Sequence, residues 1–100
     1  MTYHVSKTAK ADLKHIYFEG AALFGEAQAT AYVRDLESLF TMLAQFPHMA
    51  RLRTEISPPA YGHPHESHIV FYDLLDNGDI EIVRIRHARE DWMSDSGEEG

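Results

Sequence analysis

The side chains best suited to chemistry lie close together near the C-terminus. Residues 80–92 read as a β-strand that ends in a cationic cluster of Arg84, Arg86, His87 and Arg89. The arginine fork binds carboxylate or phosphate through two parallel hydrogen bonds, and imidazole titrates near neutral pH. His87 could therefore act as a general acid or base in phosphodiester cleavage, if a second base and cations lay beside the scissile phosphate.

Strand geometry weighs against that catalytic role. Side chains alternate between the two faces of a strand, so Arg84 and Arg86 are predicted to share one face. Val83, Ile85 and His87 are predicted to share the opposite face. The arginines then do not face the same way as His87, which remains a minority candidate for catalysis.

The other interpretation of the cluster is a protein-binding patch that includes arginines across the sheet and a nearby tryptophan. The predicted partner-binding residues are Arg51, Arg53, Arg84, Arg86, His87, Arg89 and Trp92. Each of these residues could instead serve only to stabilise the fold. Strand arginines could pair with acids such as Glu55 and Glu81, and Trp92 could dock the C-terminus onto helices rather than anchor a partner.

The histidines upstream of the cluster suggest a metal site that the sequence does not complete. His63-x-His65 and His65-x-x-His68 are dense enough to bind zinc or nickel adventitiously. No carboxylate or thiolate motif completes the coordination of a metal by these histidines, and Pro64 lies between two of them. We therefore predict a polar loop from Tyr61 to Glu66, with no metal and no cofactor.

Composition indicates one domain, and the absence of cysteine suits a reducing compartment without proving one. The chain has 100 residues and no cysteine, which excludes a disulfide scaffold, a thiolate zinc site and a cysteine nucleophile. No apolar run approaches the roughly 18 residues that a membrane span needs. The N-terminus lacks the charged and apolar regions of a signal peptide. The expected location is the cytoplasm, with no membrane partner.

The formal net charge of −7 is concentrated at the C-terminus. The acidic residues beyond position 89 are Glu90, Asp91, Asp95, Glu98 and Glu99. Residues 1–89 carry all 9 Lys and Arg against 11 acids, so the body of the protein is only slightly acidic. We predict a folded domain over residues 1–93 and an acidic, disordered tail over residues 94–100.

The first half of the chain predicts a strand and two helices. A short strand spans Thr2 to Ser6, and Ser6 or Thr8 offers an N-cap for the first helix. Gly25 ends that helix. The second helix begins at Glu26, carries a broad apolar stripe and ends at Pro47. The short connection predicts an antiparallel helical hairpin.

The second half supplies a sheet. Strands are predicted over Leu52–Ile56, His68–Tyr72 and Ile80–Ile85, and Asn-Gly within residues 76–79 favours a tight hairpin turn. The resulting order is β-α-α-β-β-β. The predicted fold class is α+β, an antiparallel sheet packed against the N-terminal helical hairpin.

Five segments in this order resemble the ParE branch of the RelE/ParE toxin superfamily, over most of residues 3–92. They are Tyr3-x-Val5-Ser6-x-x-Ala9-x-x-Asp12-Leu13-x-x-Ile16, Gly25 with Ala29-x-x-Tyr32, Leu43-Ala44-x-Phe46-Pro47-x-x-Ala50-Arg51, His68-Ile69-Val70-Phe71-Tyr72, and Ile80-x-Ile82-Val83-Arg84-Ile85-x-His87-Ala88-Arg89-x-Asp91. Ala50 stands where the family has glycine, and Tyr61-Gly62-His63 occupies a region where many relatives carry arginine.

The resemblance implies the toxin of a type II toxin–antitoxin pair, associated with inhibition of DNA gyrase. The implied partner is a ParD-like antitoxin, whose C-terminal segment wraps the toxin and whose N-terminal part dimerises on operator DNA. Contact with DNA is then indirect, and the assembly is a hetero-oligomer. RelE-type relatives instead cut mRNA on the ribosome. An inactive toxin retained as a binding module is a further alternative.

Overall fold

The structure, a computed structural model, describes residues 1–89 of the chain. Seven elements follow one another: β1 (Tyr3–Val5), α1 (Lys7–Phe24), α2 (Glu26–Gln45), β2 (Arg51–Arg53), β3 (Ala60–His65), β4 (His68–Leu74) and β5 (Ile80–His87). The two helices pack against one face of the sheet, and no helix of residues 1–89 covers the opposite face. The α+β class is confirmed.

The helical hairpin forms as predicted. Ser6 caps α1, because its Oγ accepts a hydrogen bond of 3.0 Å from the Ala9 backbone N–H. Gly25 separates the helices with φ of +95° and ψ of 157°, a conformation that essentially only glycine adopts. Within the described residues, neither helix is long and apolar enough to cross a membrane.

The sheet is mixed and has one strand more than predicted. Its strand order is β1-β5-β4-β3-β2, in which β2 to β5 form an antiparallel meander and β1 pairs parallel to β5. The predicted loop Tyr61–Glu66 is wrong, since those residues belong almost entirely to β3. Residues Tyr61 to His65 pair with Tyr72 to His68, so pairing overrides the weak strand propensity of this segment. The strand predicted over Leu52–Ile56 is shorter and begins one residue earlier, since β2 spans only Arg51–Arg53.

The core lies between the hairpin and the sheet. Buried side chains of both helices meet buried side chains of β4 and β5 there, including Leu36, Phe40, Leu43, Tyr72 and Ile82. A second, smaller cluster occupies the helix-free face and consists of Ala60, Ile69 and Phe71, with Ile56 and Val83 packed against it. The sheet therefore has an apolar patch on the face that the helices do not cover.

A β-bulge in β5 changes the predicted alternation of its side chains. Tyr72 pairs with Ile82 and Phe71 pairs with Arg84, so Val83 is an extra residue on β5. The side chain of Val83 packs in the helix-free cluster, whereas Ile85 lies in the helix-facing core. The prediction that Val83 shares a face with Ile85 and His87 is therefore wrong.

Candidate partner-binding site

The register of the strands brings four of the predicted arginines to the helix-free face. They are Arg51 and Arg53 on β2 and Arg84 and Arg86 on β5. Arg51 pairs with Gly62, which pairs in turn with Phe71, and Phe71 pairs with Arg84. Directly paired residues project to the same face of a sheet, so both edges of this face carry arginine.

A groove runs along this face, and we call it the sheet groove. It encloses about 320 Å³ and is lined by residues 56–60, Phe71, Asp73, Val83, Arg84 and Arg86. Phe71 and Ala60 are almost fully buried in its floor. An apolar floor beside arginines is the composition that protein–protein interfaces favour at their centres.

Ion pairs orient the arginines of β2. Glu55 Oε2 lies 3.7 Å from Arg53 Nη1 and 3.9 Å from Arg51 Nη2. Both arginines therefore form the ion pair with Glu55 that the sequence offered as the alternative to partner binding. The Arg53 side chain is only 20% exposed, so its guanidinium is held against the sheet rather than extended into solvent.

Arg84 is held by α1 rather than by Glu81. Asp12 Oδ2 accepts a hydrogen bond of 3.0 Å from Arg84 Nε and another of 2.9 Å from the Ile85 backbone N–H. Ser6 Oγ donates to the Val83 carbonyl at 3.2 Å. These contacts satisfy the Val83 carbonyl and the Ile85 N–H, which lie beyond the part of β5 that pairs with β1, and the contact with Asp12 orients the Arg84 side chain.

Asp73 is the acidic residue of the sheet groove, and its environment weakens its acidity. Burial raises the pKa of Asp73, and the charge of Glu81 raises that pKa further. Glu81 is the residue paired with Asp73 across β4 and β5. Neutralising either carboxyl therefore relieves repulsion between the two strands at this end of the groove.

His87 lies at a second groove, which we call the histidine groove. It encloses about 400 Å³ and is lined by Asp12, His15, Ile16, Glu19, His68, Arg84, Ile85, Arg86 and His87. The rings of His68 and His87 are 5.3 Å apart at their centroids. Sequence reasoning did not associate these residues, because only the pairing of β4 with β5 places His68 opposite His87.

Hydrogen bonds at the Nδ1 atoms of the two histidines allow them to adopt different tautomers. The Arg89 backbone N–H donates to His87 Nδ1 at 3.1 Å, so neutral His87 carries its proton on Nε2. Tyr32 Oη lies 3.2 Å from the His65 carbonyl and 2.7 Å from His68 Nδ1. When the hydroxyl donates to the carbonyl, His68 Nδ1 must donate to the hydroxyl, which leaves the lone pair on Nε2.

Burial raises the pKa of Tyr32, and the charge of Glu66 adds to that rise. Tyr32 therefore remains a neutral hydroxyl that can bridge the His65 carbonyl and His68. The ring of Tyr32 packs against the helix-facing core and is partly buried. Its contact with His68, 36 residues away, has no signal in the sequence.

The remaining predicted residues lie at or beyond the end of β5. Arg89 is exposed in the turn that follows β5, and Trp92 lies outside the described residues, as does the acidic tail. His63 and His65 belong to β3 instead of a loop. Among residues 1–89, no group of three or more His, Asp or Glu side chains is arranged to hold a metal ion.

Two further apolar surfaces are exposed. Phe18, Leu23 and Phe24 lie along the C-terminal half of α1, and each is more than 60% exposed. The other surface surrounds the C-terminus of α2 and consists of Met42, Phe46, Met49 and Leu52. Exposed large apolar side chains in such groups are typical of surfaces that a partner covers.

Comparison with known proteins assigns the chain to a family. A family model described as the ParE toxin of the type II toxin–antitoxin system parDE matches residues 3–92. Toxin ParE1 of Mycobacterium tuberculosis strain H37Rv is 33% identical over 89 residues, which cover 89% of this chain and 91% of that toxin. Toxin ParE1 of Caulobacter vibrioides is 35% identical over 89 residues, with 85% and 86% of the two chains covered.

The fold is also similar to a solved structure. A chain of the chromosomal ParDE TA system from P. aeruginosa superposes with a TM-score of 0.74 and is 24% identical in sequence. The match covers 87% of this chain and 95% of that chain. At this identity the likeness concerns the fold, and the fold agrees with the family that the sequence matches.

Proposed function

Because the chain belongs to the ParE toxins of type II toxin–antitoxin systems, we propose that it inhibits DNA gyrase by binding and that a ParD-like antitoxin neutralises it. In this proposal the toxin acts in the cytoplasm as a protein ligand and not as an enzyme. The sheet groove is the contact surface, and antitoxin and gyrase compete for it. Operator DNA is contacted only through the antitoxin, in a hetero-oligomeric complex.

The observation that carries the proposal is the sheet groove. Its floor contains the buried ring of Phe71, and its lining includes Arg84, which Asp12 holds in place. Apolar pockets beside oriented arginines are where binding energy concentrates in protein interfaces. A guanidinium that is already fixed loses less side-chain entropy when it binds a carboxylate. Such an arrangement suits recognition of an acidic, partly apolar protein segment.

The exposed apolar surfaces of the helices suit the antitoxin. A segment that is unstructured when free can wrap a large surface and fold upon it. Phe18, Leu23 and Phe24 offer apolar contacts on the hairpin, and the sheet groove offers arginine for acidic side chains. A single antitoxin segment that crosses from the helical hairpin to the sheet groove would cover both surfaces. It would thereby prevent gyrase from reaching the groove.

A supercoiling assay with purified components tests the gyrase proposal. Wild-type protein should inhibit supercoiling in a dose-dependent manner, and the cognate antitoxin should restore it. Normal supercoiling at a saturating toxin concentration would contradict the proposal. Growth should also slow when the chain is expressed without antitoxin. Unaffected growth together with retained antitoxin binding would favour the inactive binding module.

Charge reversal tests the electrostatic part of antitoxin recognition. Replacing Arg51, Arg53 and Arg84 by Glu should weaken the toxin–antitoxin complex by at least about 100-fold, since several charge-assisted contacts are lost together. The variant Lys10→Glu, Lys14→Glu, Arg34→Glu carries the same charge change at exposed positions of the helices and is the matched control. Unchanged affinity in the triple variant would show that the arginines do not bind the antitoxin.

The histidine groove favours a second candidate function, ribosome-dependent cleavage of mRNA. His68 Nε2 could accept a proton while His87 Nε2–H donates one, which is the division of labour that phosphodiester cleavage requires. Arg84 and Arg86 line the same groove and could bind the scissile phosphate. In this mechanism His68 would be the base and His87 the acid.

Mapping of mRNA ends after toxin expression separates the two functions. Codon-specific cuts that disappear in both His87→Ala and His68→Ala would establish the ribonuclease. His15→Ala is the control, because His15 lines the groove but its Nε2 lies 3.8 Å from Glu19 Oε1 on its own helix. Intact mRNA combined with inhibited gyrase would eliminate this candidate.

A further inference from the structure

We propose that the outer edge of β2 is a pairing site for an extended protein segment in which one apolar side chain lies between two acidic ones. In this arrangement the segment runs antiparallel to β2 and exchanges main-chain hydrogen bonds with Leu52. Its two acids lie beside Arg51 and Arg53. The inference rests on the proposed partnership with an antitoxin, which supplies the segment, and it does not depend on gyrase as the target.

Strand β2 is an outermost strand of the sheet. Within residues 1–89 it pairs only with β3, and β1 forms the opposite edge. The outer side of an edge strand presents main-chain N–H and C=O groups that can pair with another chain. A segment that adds a strand to such an edge obtains affinity from main-chain hydrogen bonds and specificity from its alternate side chains.

The register of the sheet identifies which main-chain groups of β2 point outward. Asp12 accepts the Ile85 N–H, so the main-chain polar groups of Ile85 point away from β4. In an antiparallel pair of strands, hydrogen-bonded and non-hydrogen-bonded residue pairs alternate. Ile85 and Val70 are therefore a non-hydrogen-bonded pair, and Val70 directs its N–H and C=O to His63 of β3 instead.

The same alternation continues from β3 to β2. Tyr61 lies two residues before His63, so its N–H and C=O also point toward β4. Tyr61 and Leu52 are then a non-hydrogen-bonded pair. The N–H and C=O of Leu52 consequently point outward from the sheet, whereas those of Arg51 and Arg53 point toward β3. An antiparallel partner can satisfy both outward groups with a single residue.

The two faces of this edge differ in character. The Leu52 side chain is aligned through β3 with Tyr72 of the helix-facing core, and it is 43% exposed. Phe46 and Met49 belong to the segment that joins α2 to β2, and both are exposed. The two arginines of β2 project to the helix-free face. A partner residue opposite Leu52 therefore meets apolar surface, and its two neighbours meet guanidinium groups.

Charge complementarity selects acids for those neighbouring positions. Glu55 Oε2 lies 3.9 Å from Arg51 Nη2 and 3.7 Å from Arg53 Nη1, so a single carboxylate serves two guanidinium groups. Two arginines and one glutamate leave this face of the edge with a positive charge. A carboxylate beside each arginine adds the charge-assisted hydrogen bonds for which guanidinium geometry is suited.

The same charges argue against a second copy of this chain as the occupant. In a symmetric antiparallel pairing of two β2 edges centred on Leu52, Arg51 of each copy lies opposite Arg53 of the other. Like charges directly opposite each other destabilise a pair of strands. A short, charged edge strand thus discourages unspecific pairing, and the exposed apolar side chains beside it favour a segment with acids on both sides of an apolar residue.

Leu52→Pro tests the main-chain contact, because proline lacks the N–H and pairing with β3 does not use it. The affinity of this variant for the cognate antitoxin should fall about tenfold, since a carbonyl of the antitoxin loses its donor. Leu52→Ile keeps the N–H and an apolar side chain of the same size, and it should bind like the wild type. Circular dichroism checks the fold of both variants. Equal affinity of Leu52→Pro and wild type would overturn the proposal.

Amide hydrogen exchange of the wild-type chain needs no variant. In the free toxin the Leu52 N–H should exchange at least about tenfold faster than the Arg53 N–H, which is paired with β3. Binding of the antitoxin should slow exchange at Leu52 to a similar extent. Slow exchange at Leu52 in dilute free toxin would show that the edge is already covered, and slowing that grows with toxin concentration would identify a second copy as the occupant.

The same measurement separates this inference from the proposed function. Antitoxin binding that leaves exchange at Leu52 unchanged would overturn the pairing site and leave the toxin–antitoxin partnership intact. A wild-type chain that does not bind its antitoxin would contradict both. Slower exchange at Leu52 in the complex, together with weaker binding of Leu52→Pro, is the result that the pairing site predicts.

Discussion

Asp12 Oδ2 lies 3.0 Å from Arg84 Nε, and this contact ties α1 to the edge of β5. The same oxygen accepts the backbone N–H of Ile85. The Asp12 carboxylate on α1 thus orients Arg84 in the sheet groove. It also accepts the Ile85 N–H at the part of the β5 edge that β1 does not cover. Helix packing and partner recognition depend on the same side chain.

Substitution of Asp12 should affect both stability and recognition. Asp12→Ala removes two hydrogen bonds to a charged acceptor, and we expect a loss of about 1–2 kcal/mol after allowance for the exposure of Arg84. Asp12→Asn keeps an acceptor for Ile85 and should lose about half as much. Urea unfolding measures the difference, with the exposed Glu19→Gln as control. Equal stability of Asp12→Ala and wild type would contradict the role of this contact.

Asp73 should make the stability of the fold decrease from acid to neutral pH. Its folded-state pKa lies above the ordinary value of 3.8, because of burial and the charge of Glu81. Its contribution is therefore fully present below pH 3.8 and is lost as the pH rises through the higher folded pKa. Asp73→Asn should stabilise the protein by about 0.5 kcal/mol at neutral pH, since it removes a like-charge pair across two strands.

Thermal unfolding as a function of pH measures this effect. The gain from Asp73→Asn should shrink as the pH falls below the ordinary aspartate range. Asp76→Asn, at an exposed position in the hairpin turn, is the matched control. A gain that is identical at every pH would mean that relief of charge repulsion is not its cause.

Tyr72 should stabilise the connection between α2 and the sheet. Its fully buried ring lies in the core, and its hydroxyl donates a hydrogen bond of 2.7 Å to the Pro47 carbonyl. Tyr72→Phe should cost about 0.5–1.5 kcal/mol, because the carbonyl loses its donor. Tyr61→Phe is the control, since the Tyr61 ring stacks on Tyr72 with centroids 5.5 Å apart and the substitution keeps that ring.

The same substitution should change the alkaline limit of stability. Burial raises the pKa of Tyr72, and the neighbouring Tyr61 raises it further. The contribution of Tyr72 is present below about pH 10 and declines as the pH rises through the folded pKa. Chemical unfolding at increasing alkaline pH should show a shallower decline for Tyr72→Phe than for wild type. Parallel curves would argue against ionisation of this residue as the cause.

Two glycines of the helical hairpin should respond oppositely to alanine. Gly25 adopts φ of +95°, so Gly25→Ala should cost about 1–3 kcal/mol from backbone strain, although nothing lies within 4 Å of the new methyl group. Gly20 is helical, and a methyl group there would meet Ala29 Cβ at 3.4 Å, an ordinary contact. Gly20→Ala should be neutral or stabilise by up to about 1 kcal/mol. A loss at position 20 equal to that at position 25 in thermal unfolding would contradict this assignment.

Local signals explain why the helices and the last hairpin turn were predictable. Ser6 caps α1, Gly25 ends it, and Gly78 adopts the positive φ that the Asn-Gly pair indicated. The strand β3 was not predictable, because Gly62, His63 and Pro64 have weak strand propensity and are held by pairing with β4. Tertiary pairing decided their conformation.

In the candidate site, too, features set by neighbouring residues were predictable and features set by tertiary pairing were not. The cationic strand end and the pairing of Arg53 with Glu55 involve residues close in sequence, and both were predictable. The β-bulge at Val83 and the contact of Tyr32 with His68 depend on register between distant segments. Neither leaves a pattern in a single sequence, so the histidine groove emerged only from the three-dimensional arrangement.

Gyrase supercoiling by the groove variant tests the central claim most directly. Wild-type toxin and the control Lys10→Glu, Arg34→Glu should inhibit supercoiling with similar potency. The variant Arg84→Glu, Arg86→Glu, shown to be folded by circular dichroism, should require at least about tenfold more protein, which corresponds to the loss of one well-placed charged contact. Full supercoiling at saturating wild-type toxin, or equal inhibition by the groove variant, would contradict the account.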